Sequence, residues 1–113
     1  MPEHTHGEAI DEVSGTRWED LLGDGSKPAI LLGMLARRHE DLNKTDIAKA
    51  ADVTRMTVDR NLGDLLDLGV IKPTRKAGNA QMYQFDADSH VGAALLELDR
   101  ALMLTAVDDE QRE

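Results

Sequence analysis

Between Thr54 and Ile71 the chain reads a hydroxyl residue, a polar stretch with Val58, Leu62, Leu65 and Leu66 at helical spacing, a glycine at 69 and two aliphatic residues. Few folds accept that order. Thr54 can cap a helix by accepting from an amide of its first turn, and Gly69 lies where a helix end favours positive φ. With Val58, Leu62 and Leu65 turned to a core, Arg55, Met56, Asp59, Arg60 and Gly63 face outward. Val70 and Ile71 then begin extended chain.

The flanking sequence supplies what such a helix packs against. Asn43 with Asp46 three residues on is a relative of the capping box, and starts a short helix that ends near Ala51 with Ile47, Ala48 and Ala51 inward. Asp52-Val53-Thr54 makes a tight turn between the two. Further upstream, Ser26 as N-cap and Pro28 in the first turn predict a helix over Lys27–His39 that buries Ile30, Leu31, Met34 and Leu35. Trp18–Leu22 reads as one helical turn, with Trp18 as a core anchor, before the break at Gly23–Ser26. Downstream, Lys72–Lys76, a polar turn at Ala77–Ala80 and Gln81–Phe85 read as a β-hairpin with a basic first strand, Tyr83 and Phe85 sharing one face. A last helix over Ser89–Val107 carries Val91, Leu95, Leu98, Leu102 and Thr105 at spacings of 4, 3, 4 and 3, a short helix–helix seam. Leu96 and Met103 widen it. The fold class is mainly α with a small β-hairpin.

Composition narrows the function. A chain of 113 residues with 41% hydrophobic residues holds one modest domain, and one Trp, one Tyr and one Phe leave its core to aliphatic side chains. The absence of Cys excludes disulfides, thiolate nucleophiles and thiolate metal sites. No apolar run reaches the ~20 residues that cross a bilayer, and the N-terminus lacks the parts of a signal peptide, so a cytoplasmic location and no membrane partner are expected. The net charge of −9 argues against a simple nucleic-acid binder, but the charge is not evenly spread. Residues 1–16 hold four acids and no Lys or Arg, residues 17–85 hold eleven Lys or Arg against ten acids, and residues 86–113 hold eight acids and two Arg. The neutral middle is free to present a local basic face.

The stretch Thr54–Ile71, preceded by Thr45-Asp46-Ile47-Ala48 and followed by the basic hairpin, resembles the winged helix-turn-helix transcription regulators, particularly the ArsR-like and MarR-like groups of bacteria and archaea. The resemblance covers about Trp18–Asp86, and departs at Asp52, where the turn usually has Gly. It implies a DNA-binding domain over 16–86 between an acidic flexible tail (1–15) and a C-terminal dimerisation helix (87–107), with an acidic tail at 108–113. It further implies a recognition helix, about 54–68, in the major groove of double-stranded DNA and a wing, about 71–86, on the minor groove or backbone. Arg55, Met56, Thr57, Arg60 and Asn61 are then the candidate major-groove contacts: arginine reads guanine, asparagine adenine, and Met or Thr touches a thymine methyl. Asp59 can accept from cytosine. Lys72, Arg75 and Lys76 on the wing and Lys44 at a helix start are the backbone candidates, with Arg37, Arg38 and Lys49 weaker. The seam at Val91, Leu95, Leu98, Leu102 and Thr105 implies a homodimer on an inverted-repeat operator, acting most simply as a repressor, although the same helix can also pack on its own subunit.

Other readings stay open. A winged-helix module for protein interaction, or a small accessory or antitoxin-like protein, suits the acidic ends; a cationic row of Arg55, Arg60, Arg75 and Lys76 on one face favours DNA. The surface style, with 14 Asp, 13 Ala and 5 Lys against 8 Arg, is similar to that of proteins from salt-loving archaea, where acidity serves solvation in brine. His4 with His6, His39-Glu40-Asp41 and His90 lack the ligand number of a metal site, so neither metal nor cofactor is expected. No phosphate-binding glycine loop or nucleophile elbow occurs, which argues against an enzyme.

Overall fold

The computed structural model describes Leu22 and residues 25–110, apart from the side chains of Asp109 and Glu110. The readings placed on residues 1–15, Trp18 and 111–113 lie outside the described residues. In chain order the elements are α1 (Ser26–Ala36), α2 (Lys44–Ala51), α3 (Arg55–Asp67), β1 (Ile71–Ala77), β2 (Ala80–Phe85) and α4 (His90–Glu110).

Helix α1 is the axis of the core. Ile30, Leu32, Met34 and Leu35 are all fully or almost fully buried, and Leu31 is packed against them in part. A helix that is apolar around its whole girth belongs inside, which is why no single buried stripe is readable in its sequence. Its cap is Gly25 rather than Ser26: Gly25 is extended, offers no side-chain bond, and accepts the amide of Ala29 at 3.0 Å. Ser26 sits one position inside, and Pro28 falls in the first turn, where a missing N–H costs nothing. The helix stops at Ala36, three residues short of His39. There the chain tightens into a turn, with Glu40 N–H donating to the Arg37 carbonyl and the Arg38 guanidinium donating to the Leu35 carbonyl at 2.9 Å.

Helices α2 and α3 are fixed by their ends. Asn43 Oδ1 accepts from the Asp46 amide at 2.8 Å while Asp46 Oδ2 accepts from the Asn43 amide at 3.2 Å, a complete capping box. Asp52 closes α2 in the left-handed region at φ 59°, ψ 48°, where the short polar side chain tolerates what Gly would adopt freely. Thr54 Oγ1 accepts from the Thr57 amide at 3.1 Å and starts α3, which buries Val58, Leu62 and Leu65. Gly33 lets α1 and α2 meet at backbone distance: a Cβ there would stand 3.1 Å from the carbonyl carbon of Ala50.

Strands β1 and β2 pair antiparallel from Ile71 opposite Phe85 to Ala77 opposite Ala80, around a turn at Gly78 and Asn79. A bulge interrupts the register between Pro73 and Lys76. Strand β2 has a second neighbour that the sequence pattern does not disclose: Leu42 exchanges both backbone hydrogen bonds with Tyr83, at 2.7 and 2.8 Å. The hairpin is thereby tied to the chain just before α2.

Ser89 joins the hairpin to α4. Its hydroxyl donates to the Gly69 carbonyl at 2.6 Å and accepts from the Gly92 amide at 2.9 Å, so one side chain caps α4 and pins it to the end of α3. Helix α4 continues through Glu110, three residues past the expected end, so the first part of the expected acidic tail is helical. Asp108 there is exposed on a helix instead of a loop. Gly92 packs so closely on Asp86 that a built Cβ would fall 1.8 Å from that carbonyl oxygen. Gly92→Ala is therefore expected to lower stability by about 1–3 kcal/mol, read as a lower urea midpoint with an unchanged slope.

Candidate nucleic-acid interface

The first turns of α3 project from the core because Val58 and Leu62 anchor the opposite face. Met56 is 68% exposed, and Arg55, Asp59 and Arg60 are exposed around it. Among the described residues Arg55 forms no hydrogen bond or ion pair. Arg60 leans toward Thr57, with Nη2 at 3.4 Å from its hydroxyl, and Thr57 Oγ1 lies 2.9 Å from Thr54 Oγ1. Asn61 is half-buried and donates to the Thr57 carbonyl at 2.9 Å, back-bonded to its own helix. Its amide is thus engaged inside the helix rather than extended from it.

The charges are not a free cationic row. Asp59 Oδ1 accepts from Lys44 Nζ at 2.7 Å, joining the start of α2 to α3. Arg75 Nε donates to Asp41 at 2.9 Å, bracing the wing against the loop before α2, and Lys27 Nζ reaches Asp64 at 2.6 Å from α1 to α3. Lys72 is half-buried, and Lys76 is exposed beside the turn. Lys49 is exposed on α2, Arg38 is turned to a backbone carbonyl, and Arg37 bonds Glu40 at 2.7 Å. The sequence gave no local signal for the ion pair of Asp41 or for the bond of Tyr83 to Leu42, because each is a contact with a distant segment.

On α4, Leu95, Leu98 and Leu102 are half-buried and pack against the core of their own subunit, as does Leu96. Val91 and Thr105 are exposed, and Thr105 Oγ1 donates to the Ala101 carbonyl at 3.0 Å. The large apolar side chains of α4 that remain open are Val91 at its start and Met103, Leu104 and Val107, one helical face near the C-terminal end. Among the described residues no cluster of three or more His, Asp or Glu is placed to hold a metal ion, and no helix is long and apolar enough to cross a membrane.

A capped short helix, a left-handed turn, an exposed second helix and a basic hairpin braced to them have counterparts among solved structures. The chain is similar to a homodimeric winged helix-turn-helix DNA-binding domain from Mycobacterium bovis, a possible ArsR-family transcriptional regulator. The two share 21% identity with a TM-score of 0.51, over 100% of this chain and 94% of that one. The fold is a winged helix-turn-helix. No protein-family model and no curated protein matches the sequence.

In this winged helix the Lys44–Asp59 pair has a pH signature. Hydrogen bonding from Lys44, aided by its charge and that of Arg55, holds the Asp59 carboxyl below its usual range. A carboxylate whose folded pKa is depressed contributes above its unfolded pKa, about 4, and loses that contribution as pH falls through the folded value. An NMR titration of Asp59 is therefore expected to show a midpoint below that of an ordinary aspartate, returning upward in Lys44→Met.

Proposed function

We propose that this winged helix-turn-helix chain is a double-stranded DNA-binding transcriptional regulator that acts as a homodimer, most simply as a repressor on an inverted-repeat operator. The observation that carries this reading is the exposed first half of α3. There Arg55, which forms no hydrogen bond or ion pair among the described residues, the 68% exposed Met56 and Arg60 stand clear of the core, with the half-buried Thr57 beside them, on a helix that fits a major groove. Lys72 and Lys76 on the wing serve the backbone beside it, and Arg75 does so once released from Asp41. Asn61 contributes to adenine recognition only if it exchanges its bond to Thr57. The fold shared with a DNA-binding domain supports the reading.

The test is binding to the DNA upstream of its own gene against a scrambled duplex, for the wild type and the Arg55→Ala, Arg60→Ala double variant. Each lost bidentate base contact is worth about 1–3 kcal/mol, so selective binding is expected to disappear in the variant. An acidic, brine-adapted surface further predicts that selective binding persists near ~1 M salt, and loss of all binding above ~0.2 M would sink that part.

A second reading, a protein-interaction module, is favoured by one observation. Asp59, Asp64 and Asp67 are exposed along α3, and Lys27, Lys44 and Arg75 are already matched by acids of the same chain. Equal, weak binding to both duplexes by both proteins would select it.

Dimerisation engages the face of α4 that the subunit does not cover. Because Leu95, Leu98 and Leu102 are partly used at home, Met103, Leu104 and Val107 extend the seam toward a partner. Leu104→Asp is expected to convert a dimer to a folded monomer in sedimentation while leaving the circular dichroism of the domain unchanged.

A further inference from the structure

On the outer face of α3 one carboxylate stands among the candidate base contacts. Asp59 lies one helical turn beyond Arg55, three residues beyond Met56 and next to Arg60, and its side chain is 49% exposed. An acid on a surface that meets a polyanion is repelled by each phosphate near it, so affinity gives no account of its place. Stability gives little more, because water and salt screen an exposed ion pair such as Lys44–Asp59.

What sets Asp59 apart is the use of its two oxygens. Oδ1 faces Lys44 Nζ at 2.7 Å, whereas Oδ2 has no hydrogen-bond or ion-pair partner among the described residues. Lys44 is the first residue of α2, whose start the Asn43–Asp46 capping box fixes, so the tether comes from a second, rigidly placed element. One oxygen is held, and the other is left as an oriented acceptor. Lys44, with the charge of Arg55, keeps the carboxyl ionised, and an ionised carboxylate accepts without donating. Asp64 and Asp67 differ: they lie in the second half of α3, away from the N-terminal turns that reach base edges, and Asp64 is tied to Lys27 of α1.

The edges of the base pairs sort such a group. In the major groove guanine shows only acceptors, and thymine an acceptor and a methyl group. Adenine sets its amino group beside the N7 acceptor, while cytosine offers its N4 amino group with no acceptor on the same base. We propose that Asp59 is a specificity-determining residue that accepts from the cytosine N4 amino group of a C·G pair, and that Lys44 is its positioning residue. This rests on the DNA-binding reading above and names the base pair that the exposed face of α3 selects. Lys44 and Arg55 also offset the charge of Asp59, which lets an acid approach the groove between two phosphate backbones.

The experiment selects bound duplexes from a randomised pool with the full chain, for the wild type, Asp59→Ala, Lys44→Met and Lys44→Arg. The wild type is expected to fix one C·G pair that Asp59→Ala leaves open, a loss of roughly tenfold in preference there, with the other positions of the motif kept. Retention of those positions shows that the variant is folded. Lys44→Met is expected to weaken the preference at that pair alone, and Lys44→Arg to keep it. The same cytosine is then replaced by pyrimidin-2-one, which lacks the amino group: the wild type is expected to bind roughly tenfold more weakly and Asp59→Ala as before. Equal losses in both proteins, or a motif that Asp59→Ala leaves unchanged or loses throughout, overturn the assignment while the wild-type motif upholds the DNA-binding reading. A Lys44→Met motif identical to that of the wild type overturns the positioning role. No enriched motif with any of the proteins overturns the DNA-binding reading and the assignment with it.

Discussion

Everything in this domain is arranged around a helix buried on almost all sides. Over Ile30–Leu35 only Leu31 is partly open to water, so α2, α3 and the hairpin must each cover part of helix α1. With a single Phe and a single Tyr in the core, that cover comes from aliphatic side chains of modest size. Close backbone approach replaces bulk, as Gly33 against Ala50 shows between α1 and α2. The angle at which α3 leaves the core follows from this seat and from the left-handed residue at Asp52.

Much of the fold was legible because its boundaries are local chemistry. Asn43 with Asp46, Thr54 ahead of Thr57, and Gly69 after α3 each satisfy or release backbone groups within a few residues, so the signal lies in a short window. The start of α1 misled for the same reason. Ser26 is the better capping residue in isolation, but the chain enters from Gly25, and burial of the whole helix decides where the first turn falls. The pairing of Leu42 with Tyr83 was not legible at all, since it joins segments forty residues apart through backbone atoms.

The candidate interface was legible in composition but not in electrostatic state. Sequence places Arg55, Met56 and Arg60 on an outward face, and they are there. It does not say that Lys44 meets Asp59, that Arg75 meets Asp41, or that Asn61 turns back to Thr57. Such exposed pairs contribute little to stability because water and salt screen them. Their weight lies elsewhere: they set which cations are available without first breaking a bond.

The short bridge between Leu42 and Tyr83 has a consequence for how copies of this chain meet one another. A two-stranded hairpin ordinarily offers two open edges on which another molecule can extend the sheet. Here the outer side of β2 is occupied along its middle, and the outer side of β1 carries Pro73, a bulge, and the charges of Lys72, Arg75 and Lys76. Proline removes a donor, the bulge twists the strand, and like charges repel an identical neighbour. The projecting hairpin is thereby kept from growing into intermolecular sheet, even at the high protein concentrations found in cells.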